Sequence, residues 1–184
     1  MGDTLLLKWT KPGGRGTRAV NDFVWPRPSG KRPGKWTERI PNPVLCQRGY
    51  HLTTAAHWAQ WANVELWVAE GRGVSVQGDN KVVFESARLV RRVTAWDERG
   101  ARLFAADVAE RVLPIFERER PGDDRPRLAI AAARDYANGT ISAAAWAAAA
   151  AAEAAWAAKW AAAYTAERGW QTDLFIRTFL GGAS

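Results

Sequence analysis

Apolar positions follow two regimes along this chain. Up to about residue 95 they come in short extended runs punctuated by glycine and proline; beyond residue 97 they recur every three or four residues. Thr4–Trp9 carries Leu5, Leu6 and Leu7 and predicts a first strand, which Lys11-Pro12-Gly13-Gly14-Arg15-Gly16 breaks. Asn21–Trp25 is a second short extended piece. Pro26, Pro28, Pro33, Pro41 and Pro43, with Gly30 and Gly34 between them, exclude regular helix or central strand and predict a long surface loop. Gly49 marks a sharp turn. Ala55–Ala62 predicts a short helix capped by Thr53 or Thr54, with Trp58, Trp61 and Ala62 on its buried face. Val64–Ala69 is a strand, Gly71-Arg72-Gly73 a turn or bulge, and Val74-Ser75-Val76 alternates. Gly78-Asp79-Asn80 signals a hairpin, and Lys81–Glu85 and Ala87–Val93 complete the β material.

In the second regime Leu103, Phe104, Val108, Val112, Ile115 and Phe116 follow helical spacing, with Asp107 and Arg111 placed to pair at i, i+4 and Pro114 placed to kink the helix. Asp124 is the expected cap of the next helix, with Pro126 just inside it and Gly139 as its stop. Ser142 caps an alanine-rich helix running to about Arg168, and Trp170–Leu180 is a last amphipathic helix with Trp170, Leu174, Ile176 and Phe179 facing inward. On the alanine rod, Trp146, Trp156, Trp160 and Tyr164 fall within about 80° of one another. That stripe suits packing inside a bundle, or a seam for a partner helix or a second copy. The fold class is therefore α+β. A small, mainly antiparallel β half with one helix occupies residues 1–95, and an all-α bundle of about four helices occupies 97–184; each is read as a domain.

Composition sharpens this picture. Hydrophobic residues make up 47% and tryptophan occurs eleven times, which suits a buried core. A single cysteine excludes an internal disulfide and fits a reducing compartment, so a cytoplasmic protein is expected. Met1–Trp9 has no basic region before an apolar run and does not read as a signal peptide. Ala143–Ala163 carries Glu153 and Lys159, which argues against a membrane span.

The charge is lopsided. Residues 1–94 hold 15 lysines and arginines against 7 acids, whereas residues 95–184 hold 11 against 12. A basic half suggests nucleic acid or another polyanion as partner, although a GC-rich genome also raises arginine, alanine, glycine, proline and tryptophan together. Lys8, Lys11, Arg15, Arg18, Arg27, Lys31, Arg32, Lys35 and Arg39 interleave with Trp9, Phe23, Trp25 and Trp36. Cations of this kind meet phosphates while aromatic faces stack on bases. The expected interface comprises Lys11, Arg15, Arg18, Trp25, Arg27, Lys31, Arg32, Lys35 and Trp36.

Chemistry-bearing residues gather between Val44 and Gly73, which holds Cys46, His51 and His57. Their spacing is not that of a zinc site, and no metal or cofactor is implied. Cys46 reads as a small buried hydrophobe and His51 as a satisfied turn histidine. Gly13-Gly14-Arg15-Gly16 lacks the lysine and hydroxyl of a phosphate loop. Glu65, Glu70 and Glu85 are available for acid–base work. Tyr50, His51 and Glu70 are the residues expected to meet in a pocket.

Three resemblances bear on this reading. The order Leu45-Cys46-x-x-Gly49-Tyr50-His51, a helix, a strand ending near Glu70, then Lys81-Val82-Val83 and Arg88-Leu89-Val90-Arg91, resembles a family of small phage and bacterial domains sharing a Cys-x-x-Gly-aromatic-His motif. That family implies no activity. Leu103–Glu117, Asp123-Asp124-Arg125-Pro126-Arg127 and the alanine–tryptophan helices behind them are similar to the helical segment of bacterial immunity-type proteins. Val108 stands there where a cysteine is expected, which argues against thiol chemistry. Gly49–Thr53, the following helix and Leu66–Gly73 are similar in order to the middle of ADP-ribosyltransferases, although no Arg or His stands on a matching first strand.

The sequence thus points first to a non-enzymatic accessory protein of bacterial or phage origin, binding a polyanion through its basic half. Its alternatives are a small transferase, ADP-ribosyltransferase-like or otherwise, with a pocket at Tyr50, His51 and Glu70, and an immunity-type protein binding a toxin through its helical half.

Overall fold

β1 (Leu6–Lys11) is the strand on which the first part of the chain closes. In the computed structural model, which describes residues 5–17, 23–145, 147 and 167–181, the chain forms two compact units, Met1–Trp96 and Asp97–Ser184. β1 pairs antiparallel with β3 (Tyr50–Thr54) through Leu6 and Leu7, and with β4 (Glu65–Gln77) from Leu6 to Thr10. β5 (Val82–Arg92) pairs with β3 through residues 82–84 and with β4 along most of its length, while β2 (Arg15–Gly16) returns onto the end of β1. The five strands described are all antiparallel, and because β1 bonds to both β3 and β4 the sheet rolls back on itself. Helices follow in the second unit, so the protein is α+β.

Rolling requires bending. β4 is buried over Glu65–Ala69 and exposed over Arg72–Gln77, and its register against β5 shifts at Val68/Ala69 and again between Arg72 and Ser75. Gly73 (φ +80°) lies in the second bulge, where a Cβ would stand 2.5 Å from the Glu85 carboxylate. Of the turn or bulge expected at Gly71–Gly73, the structure has the bulge, inside one long strand. Lys81–Glu85 and Ala87–Val93 likewise belong to a single strand, and the hairpin turn expected at Gly78–Asn80 joins the two, with the Gly78 amide donating to the Lys81 carbonyl.

Two other local expectations change. Ala55–Gln60 is a 3₁₀ segment with His57 off helical geometry, not an α-helix. The Thr54 hydroxyl pairs with His57 Nδ1 at 3.2 Å instead of capping an amide. The proline-rich loop lacks regular structure, as expected, but it is tied down. Its Gly34, Thr37 and Ile40 amides donate to the Leu89, Ala87 and Glu85 carbonyls, so it covers the stretch of β5 beyond β3. Trp25, Tyr50, Leu52, Trp67, Ala69, Ala87 and Leu89 form the core cluster, and Trp96 packs edge-on against Trp9 and Trp58.

In the second unit, α1 (Glu98–Glu119) starts where Asp97 Oδ1 accepts the Gly100 amide at 2.6 Å. Pro114 does not split it: the residue lies on the exposed face, and the helix runs through it. α2 (Arg125–Ala137) packs on α1 through Ala106, Leu113 and Ile130. Asp123, not Asp124, accepts the Arg125 amide at its start. Gly139 (φ +75°) ends it as expected, and Ser142 Oγ accepts the Ala145 amide. The rest of the stretch expected to form the alanine-rich helix, with Trp146, Glu153, Trp156, Trp160 and Tyr164, lies outside the described residues. Asp107 pairs with Arg134 across to α2 at 2.7 Å, and Arg111 with Glu167 at 3.4 Å, instead of with each other. α3 (Arg168–Phe175) continues into a π turn, Ile176–Leu180, which rotates Phe175, Phe179 and Leu180 inward and leaves Ile176 exposed. Phe104, Phe175 and Phe179 meet with ring centroids 5.4 to 6.3 Å apart.

Candidate functional site

The first unit contains a cavity of about 560 Å³. β1 supplies Leu7, Lys8 and Trp9 to its lining, the turn and β3 supply Cys46 to Thr53, and Phe23, Trp25, Trp61 and Lys81 complete the aromatic and basic parts of the wall. Alternation along β1 buries Leu7 and Trp9 on one face and places Lys8 on the face shared with Leu6. Lys8 is mostly buried there. Its Nζ donates to the His51 carbonyl at 2.9 Å and stands 5.0 Å from the Trp25 ring centroid. Burial lowers the Lys8 ammonium to about 8. Trp25 meets Tyr50 edge-on at 5.7 Å and Phe23 at 5.5 Å.

The rim is a tight turn. Val44 and Arg48 exchange backbone hydrogen bonds, and the Arg48 guanidinium forks onto the Asn42 carbonyl at 2.7 and 2.9 Å. Cys46 adopts φ +63° and is exposed, which corrects the expectation of a buried thiol; its amide donates to His51 Nε2 at 2.9 Å. His51 is thus a turn-holding histidine, and the bond requires Nε2 to be unprotonated. Burial holds its imidazole below the ordinary value, with the Lys8 and Lys81 charges acting in the same direction and the Gly49 backbone opposing them. Acidification is therefore expected to break this bond only below the usual histidine range near 6.5. The Cys46 amide resonance should move with the His51 ring titration; an amide shift insensitive to that titration would contradict the assignment.

Tyr50 and His51 meet in this cavity, whereas Glu70 does not line it. Glu70 is tied to Arg88 at 2.6 Å on the surface. Arg88 and Arg72 both lie over the Trp36 ring, at 4.6 and 4.3 Å. Lys11, Arg15, Arg27, Lys31, Arg32 and Lys35 are exposed. Trp25 is 3% exposed and belongs to the core, so it is not available to stack on a base. Arg18 lies outside the described residues.

The other two carboxylates have structural duties. Glu65 accepts from the Gly14 amide at 2.9 Å, the Gly13 amide at 3.2 Å and the Thr10 hydroxyl at 3.0 Å, with Arg92 at 3.8 Å. Burial pushes its carboxyl up, but these donors together outweigh burial and hold it below the ordinary value. Gly13 and Gly14 both have positive φ and aim successive amides at one point. The glycine-rich run does cradle an anion, and that anion is the protein's own. Glu85 is buried and held by the forked Arg39 guanidinium at 2.8 and 2.9 Å, which lowers its carboxyl.

Lys8, one of the basic residues of the N-terminal half, lines the cavity instead of lying on the surface with the other cations. The available signal was a lysine within an apolar strand.

Among the described residues, no three His, Cys, Asp or Glu side chains converge as a metal site, and no helix is long and apolar enough to cross a membrane. Residues 93–168 match the family model described as "Imm-5 like putative immunity protein". The match spans α1, α2 and the chain up to Arg168, and covers less than half of the sequence. The helical unit is thus similar to immunity-type proteins, a likeness that suggests a protein partner; this match gives no support to the domain family expected for the N-terminal half. No curated protein and no solved structure matches the chain.

Proposed function

We propose that this chain is an immunity-type protein whose helical unit binds and neutralises a protein toxin. The observation that carries this reading is the family match over residues 93–168, which begins three residues before the first unit ends and takes in the α1–α2 pair. The pair offers a partner an exposed Leu128 on α2 and paired charges in which Arg134 bridges Asp107 and Glu110. The polyanion reading keeps its exposed cations but loses its stacking platform: Trp25 is in the core and Trp36 is covered by two arginines. The transferase reading needs Glu70 beside Tyr50 and His51, and Glu70 lies off the cavity. Both are set aside for the immunity reading.

The test is co-expression of the full chain with candidate toxic proteins, the product of any adjacent gene first. Growth should be restored, and the two purified proteins should co-elute as a complex. Continued arrest together with separate elution would reject the proposal.

A further inference from the structure

Among the described residues Lys8 has no carboxylate partner: its ammonium meets one carbonyl, that of His51, and one aromatic face, that of Trp25. Taking an ammonium out of water costs several kcal/mol unless an anion offsets it, and neither of these partners is an anion. The surroundings add to the imbalance. Arg48, His51 and Lys81 line the same cavity, and no Asp or Glu appears among its described lining residues. The rest of the wall is rich in flat apolar surface, including Phe23, Trp25, Tyr50 and Trp61. A second cation, Lys81, lies 4.8 Å over the Trp61 ring.

We propose that this cavity binds a small planar anion, with its ring against the aromatic wall and a carboxylate or phosphate group against Lys8. The volume suits one small molecule. Aromatic walls receive a flat body by stacking or edge contact. An acid group supplies a counter-charge in a place where partial burial weakens screening by water. The site is independent of the immunity reading: its described lining ends at Lys81, and the family match begins at residue 93.

Calorimetric titration of the full chain tests the proposal with two aromatic acids and their neutral counterparts. Indole-3-acetate is set against indole-3-acetamide, and adenosine monophosphate against adenosine. At least one acid should bind about tenfold or more tightly than its neutral partner, and the acid that does so identifies the head group. The Lys8→Met variant should lose about 10- to 100-fold in affinity for that acid, the size expected for a charge-assisted hydrogen bond. Affinity for the wild type should fall as pH rises through about 8. His51 on β3, Arg48 on the rim and Lys81 before β5 face the same space, and the Lys8→Met comparison separates their titration from that of Lys8.

Cys46 gives a second readout, because it is the chain's only cysteine and lies on the rim. Labelling by a thiol reagent should slow in the presence of the bound acid. If Lys8→Met does not fold, Lys81→Gln tests the same charge argument, with an expected loss of roughly threefold or more. Four results each overturn the proposal: no binding of either acid at millimolar concentration, equal affinity for the neutral partners, unchanged affinity in the charge variant that folds, or unaltered Cys46 labelling.

Discussion

Raising the pH from 8 to 10.5 is expected to stabilise the ligand-free protein by about 3 kcal/mol through Lys8 alone, and Lys8→Met is expected to abolish that gain. Burial lowers the folded-state ammonium to about 8 from the ordinary 10.5. Between those values the unfolded chain binds the proton and the folded chain does not, so stability rises with pH across the window. Below about 8 both states are charged, and the folded state carries the full penalty of the buried cation. This is the reverse of a lysine that gains a carboxylate partner, whose stabilisation would be lost as pH rises. Other groups titrate in the same range, so the quantity to measure is the difference between wild type and Lys8→Met in urea midpoints from pH 7 to 10.5. A difference that stays flat would show that Lys8 is effectively solvated.

Lys8→Met also has a sign at pH 7. The substitution removes the ammonium's hydrogen bond to the His51 carbonyl and its contact with Trp25, which together hold about 2 kcal/mol. It also removes a desolvation penalty of about 3 kcal/mol. The free variant is thus expected to be more stable than wild type by about 1 kcal/mol while binding the anion less well. A residue that destabilises the empty protein and strengthens a complex marks a site kept for function rather than for folding.

Much of this architecture was legible in the residue pattern. The change from extended runs to helical spacing near residue 95 falls where the strands give way to helices. The hairpin turn at Gly78–Asn80 and the stop at Gly139 follow from glycine and turn chemistry that act locally. What the pattern missed depends on long-range geometry. Gly71–Gly73 reads in sequence as a turn or a bulge, and only the pairing of β4 with β5 decides for the bulge. Asp107 and Arg111 have ideal spacing on α1, yet Arg134 of α2 supplies Asp107 with a partner from outside the helix.

The site was half legible for the same reason. Tyr50 and His51 follow one another on a strand and reach the cavity together. Glu70 is drawn away by Arg88, a residue 18 positions later. Lys8 counts as one more basic residue until β3 and Trp25 close over it. Charge counting sums lysines without knowing which of them water reaches.

Glu65→Ala is expected to be the most damaging single change in the first unit, at about 4 kcal/mol. Glu65 is 6% exposed and satisfies two glycine amides and the hydroxyl of Thr10, which is itself fully buried and accepts from Trp67 Nε1 at 2.9 Å. Truncation leaves these donors facing a void, and it loosens the reversal that brings β2 back onto β1. Glu65→Gln keeps one acceptor oxygen but turns an NH₂ group toward the amides, so a loss of about half that size is expected. Glu70→Ala serves as the comparison. It removes a carboxylate from a solvated pair with Arg88, and a change below about 1 kcal/mol is expected. Hydrogen exchange in β1 and β4 reads the first unit directly, while helical circular dichroism follows the second. Exchange protection should collapse in Glu65→Ala at denaturant concentrations where the helical signal persists. Because the Glu65 carboxyl lies below its ordinary value, its contribution is complete above the usual carboxylate range near 4.3 and is lost as pH falls through the lower folded value. Acid should therefore weaken wild type toward Glu65→Gln. Equal losses in Glu65→Ala and Glu70→Ala would mean that the glycine cradle contributes nothing beyond an ordinary surface pair.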